Sequence, residues 1–237
     1  MILRSIDPRV ALVLALSGSI LLAAARGYQT LAVGLITSIV LVLVRRVKVR
    51  VLTGRLVRLQ LFLSLLFLLL PLSWRDGALA WDSARLELPL VIALRAHAIL
   101  LWVTAWVEPL GVAGLLHGMR GIGVPAAIVQ IAMLSVRYLS LMQGEFRQMR
   151  MAMASRGYSR RAPVAAYQVW ANLIGMLFLR SLDRAEHLRR SMAARSLGNL
   201  TTTLPVPWQA KDRIVLTVGM IGLAMLAYLE WLTRVDR

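Results

Sequence analysis

Long apolar runs separated by arginine-bearing connections dominate this chain. Val10 to Ala25, Tyr28 to Val44, Leu88 to Val107 and Ile214 to Leu232 approach the length that crosses a hydrocarbon core, about 20 helical residues. A fifth run, Leu59 to Trp74, is shorter, and its borders are soft. The first run leads directly into a second apolar run and has no small-x-small site before a polar domain, so it reads as a retained span. The pattern predicts an all-α, polytopic membrane protein with about five transmembrane helices plus two long cytoplasmic helices. Residues 1–107 would form a four-helix membrane region, 108–211 a cytoplasmic and partly membrane-apposed region, and 212–237 a last span.

The stretch from Glu108 to Asp212 decides that architecture. Val124 to Met142 and Tyr167 to Leu179 are apolar, but Arg137, Arg147, Arg150, Arg156, Arg160 and Arg161 follow within 25 residues. At about 2.5–3.5 kcal/mol each at the centre of a membrane helix, they would cost on the order of 15–20 kcal/mol. The Leu and Ile present supply a few tenths each and do not offset that. Two long helices result, each dipping an apolar end toward the bilayer and carrying a basic end into the cytoplasm. Pro125 opens the first, and Gly157 with Pro163 ends it; the second follows Pro163 and stops by Gly198, Pro205 and Pro207. Leu173, Leu177, Leu188 and Met192 recur at helical spacing, and Glu186 precedes Arg190 by four in the favourable order.

Composition agrees with the membrane reading: 59% of the 237 residues are hydrophobic, and the mean hydropathy is +0.69. The net charge of +17 rests almost wholly on arginine, since only Lys48 and Lys211 are lysines. In a soluble chain that charge would point to nucleic acid. Here topology accounts for it. Arg45, Arg46, Lys48, Arg50, Arg55 and Arg58 fill the connection after the second run, and the positive-inside rule makes it cytoplasmic. Asp76, Asp82 and Glu87 balance Arg75 and Arg85 after the third, which reads as external. The N-terminus, with Arg4 and Arg9, falls inside. The expected partners include the lipid bilayer and no nucleic acid.

Catalytic and metal chemistry find little footing. With no cysteine there is no disulfide, thiol nucleophile or zinc-cysteine site. His97, His117 and His187 lie far apart, and the methionines from Met142 to Met153 have no other soft ligand nearby, so they read as packing residues. No Gly-x-x-x-x-Gly-Lys-Ser/Thr sequence is present. Arg95 and His97 are a polar pair within the fourth run, unaccompanied by a carboxylate cluster or a Gly-x-Ser-x-Gly motif. No catalytic, cofactor or metal site is predicted, although a membrane-embedded enzyme or an assembly scaffold remains an alternative.

One pattern stands out. Met153-Ala154-Ser155-Arg156-Gly157 and Met192-Ala193-Ala194-Arg195-Ser196 share the form Met-Ala-small-Arg-small. The two arginines are 39 residues apart, one for each long helix. An arginine in a last helical turn followed by glycine is a capping signal, which accounts for Arg156-Gly157. It accounts less well for Arg195, followed by Ser196, and leaves the shared Met-Ala unexplained. Capping and partner docking both stay open on the residues alone.

Asp7-Pro8-Arg9 leads directly into the first run. Arg137-Tyr138, the run Ala152 to Tyr158 and above all Asn172-Leu173-Ile174-Gly175-Met176-Leu177-Phe178-Leu179-Arg180-Ser181-Leu182-Asp183-Arg184-Ala185-Glu186 complete a distinctive set. Through these the chain resembles the transmembrane (T) component of energy-coupling factor (ECF) transporters, the family that includes the cobalt permease CbiQ, and within it the cobalt/nickel branch. The resemblance covers nearly the whole chain. It implies two coupling helices, each ending in Ala-Arg-Gly or a variant, at Ser155-Arg156-Gly157 and Ala194-Arg195-Ser196. Ser155 and Ser196 depart from that consensus, while both arginines are kept. It further implies two ABC-type ATPase partners, a substrate-capture (S) membrane subunit and a multi-pass place in a bacterial or archaeal cell membrane. Cobalt or nickel would be the cargo, with a vitamin-importing module as the near alternative.

Overall fold

The computed structural model describes residues 6–25, 27–75, 78–81, 86–155, 163–194 and 210–235. The chain divides into two compact units, residues 1–123 with 206–237, and residues 124–205. Both are helical. The first holds α1 (Pro8–Ala24), α2 (Tyr28–Arg45), α3 (Val49–Leu69), α4 (Glu87–Val107), α5 (Gly111–Gly121) and α8 (Ala210–Val235); the second holds α6 (Ala126–Ser155) and α7 (Pro163–Ala194). A short antiparallel hairpin, β1 (Leu72–Arg75) with β2 (Ala78–Trp81), interrupts the helices and pairs Leu72 with Trp81. The all-α membrane architecture read from the sequence stands, with this hairpin and the short α5 added among the described residues.

Five helical stretches are long and apolar enough to cross a membrane: Tyr28–Arg45, Val49–Leu69, Glu87–Gly121, Ala126–Ser155 and Ala210–Leu232. Pro8–Ala24 is apolar but has only 17 residues, about 25 Å of helix. In α6 the apolar part comes first, since residues 126–143 contain Arg137 as their one charged side chain, and Arg147 and Arg150 follow.

Helix α4 is the hub of the first unit, with α1, α2 and α3 packed along it; α8 contacts α1 and α2, and α5 contacts α1. Lipid tails give no hydrophobic reason for helices to associate, so close packing of small residues must do much of the work. Ala11, Ala15 and Gly18 on α1, with Ala98 and Ala105 on α4, are buried at helical spacing. Gly18 makes room for Trp102, because a Cβ there would fall 2.2 Å from the indole ring. The Trp102 Nε1–H then donates to the Leu14 carbonyl at 2.9 Å. At Gly118 a Cβ would stand 2.8 Å from the Pro8 carbonyl oxygen, so α5 lies directly against the start of α1.

Polar contacts hold the ends. Asp7 caps α1 by accepting the Arg9 N–H at 2.9 Å, and Pro8 occupies the first turn, where its missing N–H costs nothing. The Asp7 N–H donates to Asp212 Oδ1 at 3.0 Å, which joins the starts of α1 and α8. At the far end the Gly27 N–H donates to Glu230 at 3.2 Å.

The third span needs correction. It starts at Val49 rather than Leu59 and ends at Leu69 rather than Trp74. Arg50, Arg55 and Arg58 therefore lie on the helix, not in a loop. Arg55 pairs with Glu108 and donates to Thr104 Oγ1 at 3.0 Å, while Arg58 turns back to the Gly54 carbonyl at 2.9 Å. Charges satisfied in this way need not end a helix. The helix stops at buried Pro71 instead: Leu70 still holds helical geometry, but the proline has no N–H with which to continue the ladder.

Candidate functional site: two long helices with one stripe

Helices α6 and α7 start where the sequence marks them, after Pro125 and at Pro163. The Pro125 carbonyl accepts the first N–H groups, from Ile128 at 3.0 Å and Val129 at 3.3 Å. Good helix formers (Ala, Met, Leu, Gln, Arg) carry α6 through 30 residues and α7 through 32.

Both helices carry the same half-covered stripe. On α6 it runs through Leu134, Tyr138, Met142, Glu145, Met149 and Met153; on α7 through Leu173, Leu177, Ser181, Arg184, Leu188 and Met192. Their spacing is four, four, three, four, four in each case, one face of a helix. Every member of the second set follows its counterpart by 39 residues, the same interval that separates Arg156 from Arg195. The interval of the motif is therefore also the interval of the covered positions along each helix, although only Leu134 with Leu173 and Met153 with Met192 keep the residue type.

At one step of the stripe Glu145 meets Arg184 in an ion pair. Neither group is fully exposed, and Glu145 Oε2 and Arg184 Nη1 are buried without a hydrogen-bond partner. One residue on, the Phe146 ring lies 6.1 Å from that of Trp170. Adjacent residues of α6 thus reach positions on α7 that are about 21 Å apart at 1.5 Å per residue. Helices lying side by side do not make such contacts, so α6 and α7 cross steeply near Glu145. Sequence reasoning missed this pair. Its signal was that Glu145 and Arg184 each stand 11 residues before a motif arginine, three turns along the same face. Glu145→Ala should loosen the crossing by about 1–2 kcal/mol, less than a fully buried pair because water reaches Arg184. Glu145→Arg with Arg184→Glu should recover most of that, read as thermal midpoints in detergent.

The sequence-predicted site residues fall at the helix ends. Ser155 is the last residue of α6, exposed, with its Oγ–H on the Ala152 carbonyl at 2.9 Å. Ala194 is the last residue of α7 and is also exposed. Arg156, Gly157, Arg195 and Ser196 lie outside the described residues. Met153 and Met192 are half-buried, the final covered position of each stripe.

Glu186 anchors the basic end of α7. Arg189 donates two hydrogen bonds to its carboxylate, at 2.9 and 2.8 Å, and Arg190 a third at 2.9 Å. These bonds, those of Arg189 foremost, hold the carboxyl at about 2. Being depressed, it supports the folded helix above the ordinary carboxylate range, and that support is lost as pH falls toward 2. In a side-chain carbon NMR titration Glu186 should stay ionised below pH 3. Arg189→Gln with Arg190→Gln should return it to about 4.3, the value of a free glutamate.

The polar pair in the fourth span has structural duties. Arg95 donates to the Ala25 carbonyl at 2.7 Å, and His97 Nδ1 contacts the Ala93 carbonyl at 2.7 Å. Arg95 and Glu230 thus hold the two sides of the same turn between α1 and α2. Among the described residues no three His, Asp or Glu side chains gather as a metal site.

The family profile of CbiQ, a cobalt transport protein, matches residues 1–202. The chain belongs to the CbiQ cobalt transport protein family. The match takes in α6, α7 and both motif arginines. The cobalt transport protein CbiQ of Rhodobacter capsulatus is 32% identical over 106 residues, 44% of this chain. That alignment spans 38% of the relative's length, well under two thirds of it. Membership makes this chain a membrane component of a cobalt transport family, which fits a fold of long apolar helices.

Proposed function

We propose that this chain is the energy-coupling transmembrane (T) subunit of an ECF-type importer, for cobalt or nickel. The observation that carries this reading is the repeat. Two crossing helices bear one stripe at one interval, and each runs out through exposed small residues into an arginine. A repeated surface on one chain fits two copies of one partner, here two ABC-type ATPase subunits.

Ser155-Arg156-Gly157 would enter a groove on one ATPase and Ala194-Arg195-Ser196 a groove on the other. Small neighbours permit close approach. Arginine supplies a planar fork of donors that keeps its charge at every physiological pH. When ATP draws the ATPases together, the arms beyond the Glu145–Arg184 crossing move with them. That motion passes to a separate substrate-capture (S) membrane subunit, which releases the ion inward. In this account the N-terminus lies in the cytoplasm, the protein is a multi-pass component of the cell membrane, and ATP hydrolysis belongs to the partners.

Affinity purification from the native membrane tests this directly. ATPase polypeptides should co-purify in a two-to-one ratio, with ATP hydrolysis above that of the free ATPases. Recovery of non-ATPase partners alone would instead make the chain a scaffold.

A further inference from the structure

An open groove of about 590 Å³ lies between α2, α4 and α8 in the first unit. Val33, Thr37 and Leu41 form one wall, Trp102 and Trp106 the floor, and residues 214–229 of α8 the other wall. Thr37, the polar member of that α2 wall, donates its hydroxyl to the Val33 carbonyl at 2.7 Å, so the groove offers it no free hydroxyl hydrogen. Small residues widen it, notably Gly222, where a Cβ would meet nothing within 4 Å. α2 and α8 are each long and apolar enough to span a membrane, so the groove opens into hydrocarbon.

Charge gathers at one end, where α2 finishes and α8 begins. The Arg45 guanidinium carbon sits 4.4 Å from the centroid of the Trp106 ring, which lines the groove. Arg46 and Lys48, just past the end of α2, and Arg213, in the first turn of α8, are exposed, and none of the three has an ion pair among the described residues. The acids at this end are engaged inward: Asp7 caps α1, Asp212 accepts the Asp7 N–H, and Glu108 pairs with Arg55. The Trp106 indole N–H is buried on the groove wall without an acceptor.

We infer that this groove binds an anionic phospholipid, one acyl chain along α8 and the headgroup at Arg46, Lys48 and Arg213. Its volume lies in the range of small-ligand sites, about 300–1,000 Å³. A 20-residue transmembrane helix, about 30 Å long and 10–12 Å across with its side chains, has several times that volume. Basic clusters at the end of apolar interhelical clefts favour acidic headgroups over zwitterionic ones. The inference is independent of the coupling role.

The test is native mass spectrometry of the detergent-purified full chain, delipidated and then offered phosphatidylglycerol or phosphatidylcholine with identical acyl chains. Phosphatidylglycerol should be retained about tenfold more tightly, the effect of one to two basic side chains near an anionic surface. Gly222→Phe, whose Cβ meets nothing within 4 Å, puts a ring into the groove and should remove both adducts while leaving helicity and elution volume unchanged. Arg46→Gln, Lys48→Gln and Arg213→Gln together should abolish the preference but keep chain binding. Equal retention of the two lipids by the unaltered chain would overturn the proposal, as would retention unaffected by Gly222→Phe. A photo-crosslink from position 218 that captures a polypeptide in native membranes in place of lipid would also overturn it.

Discussion

Cells carrying Arg156→Ala with Arg195→Ala should lose cobalt uptake by about 100-fold or more, while the chain remains in the membrane at its usual level. In the proposed coupling role each substitution would remove a charged fork from a partner surface and leave that surface's acceptors unpaired, a loss of about 2–5 kcal/mol at a desolvated contact. Ser155 and Ala194, the residues just before the two arginines, are exposed at the ends of their helices. Lysine at both positions should restore little, since a point charge on a flexible stem does not reproduce a planar fork. Single substitutions separate docking from capping. A capping role alone would shave a few tenths of a kcal/mol from one helix end and leave uptake near normal. Undiminished uptake in the double variant would remove the coupling role.

Gly18→Ala should destabilise the first unit by about 2–4 kcal/mol, from overpacking and from the strained Trp102 hydrogen bond. The new methyl would stand 2.2 Å from the Trp102 ring. That ring is 6% exposed, tilted 58° against Trp106 at 6.0 Å, and tied to Leu14 through its N–H. No rotamer change frees the space without breaking one of these contacts. Gly144→Ala and Gly175→Ala are the controls, since a Cβ at either meets nothing within 4 Å. Both lie inside long helices, so they should be neutral or add up to about 1 kcal/mol. Thermal midpoints in detergent would show a fall for Gly18→Ala and no fall for the controls. Equal behaviour of all three would mean that α1 and α4 do not meet through Gly18.

Much of this architecture was written in the sequence, and the exceptions have physical causes. Proline marks the starts of α6 and α7 because it tolerates only the first turn of a helix, so those borders were readable to within a residue. The third span was misread because Arg50, Arg55 and Arg58 were counted as loop charge. The acceptors of Arg55, Thr104 and Glu108, lie about 50 residues away in the chain, and local composition does not disclose a distant partner. The hairpin at Leu72–Trp81 was hidden for a different reason: its strands are only four residues each. At the candidate site the repeat of Met-Ala-small-Arg-small was visible from the start. That it belongs to a stripe of matching covered positions emerged only from burial. The Glu145–Arg184 crossing emerged only from contacts, since the ion-pair rule for a single helix covers residues three or four apart and not 39.

The chain's lack of cysteine makes one measurement decisive for the central claim, that each long helix delivers its arginine to an ATPase. Ser155→Cys and Ala194→Cys, made separately, place a unique thiol next to each motif arginine at an exposed small position. Membranes from cells making the assembled transporter are then treated with a short bifunctional thiol-to-amine crosslinker, and the adducts are identified. Adducts with an ATPase polypeptide from both positions are the predicted result. No ATPase adduct from either position, with the complex intact and its thiols accessible, would contradict the account.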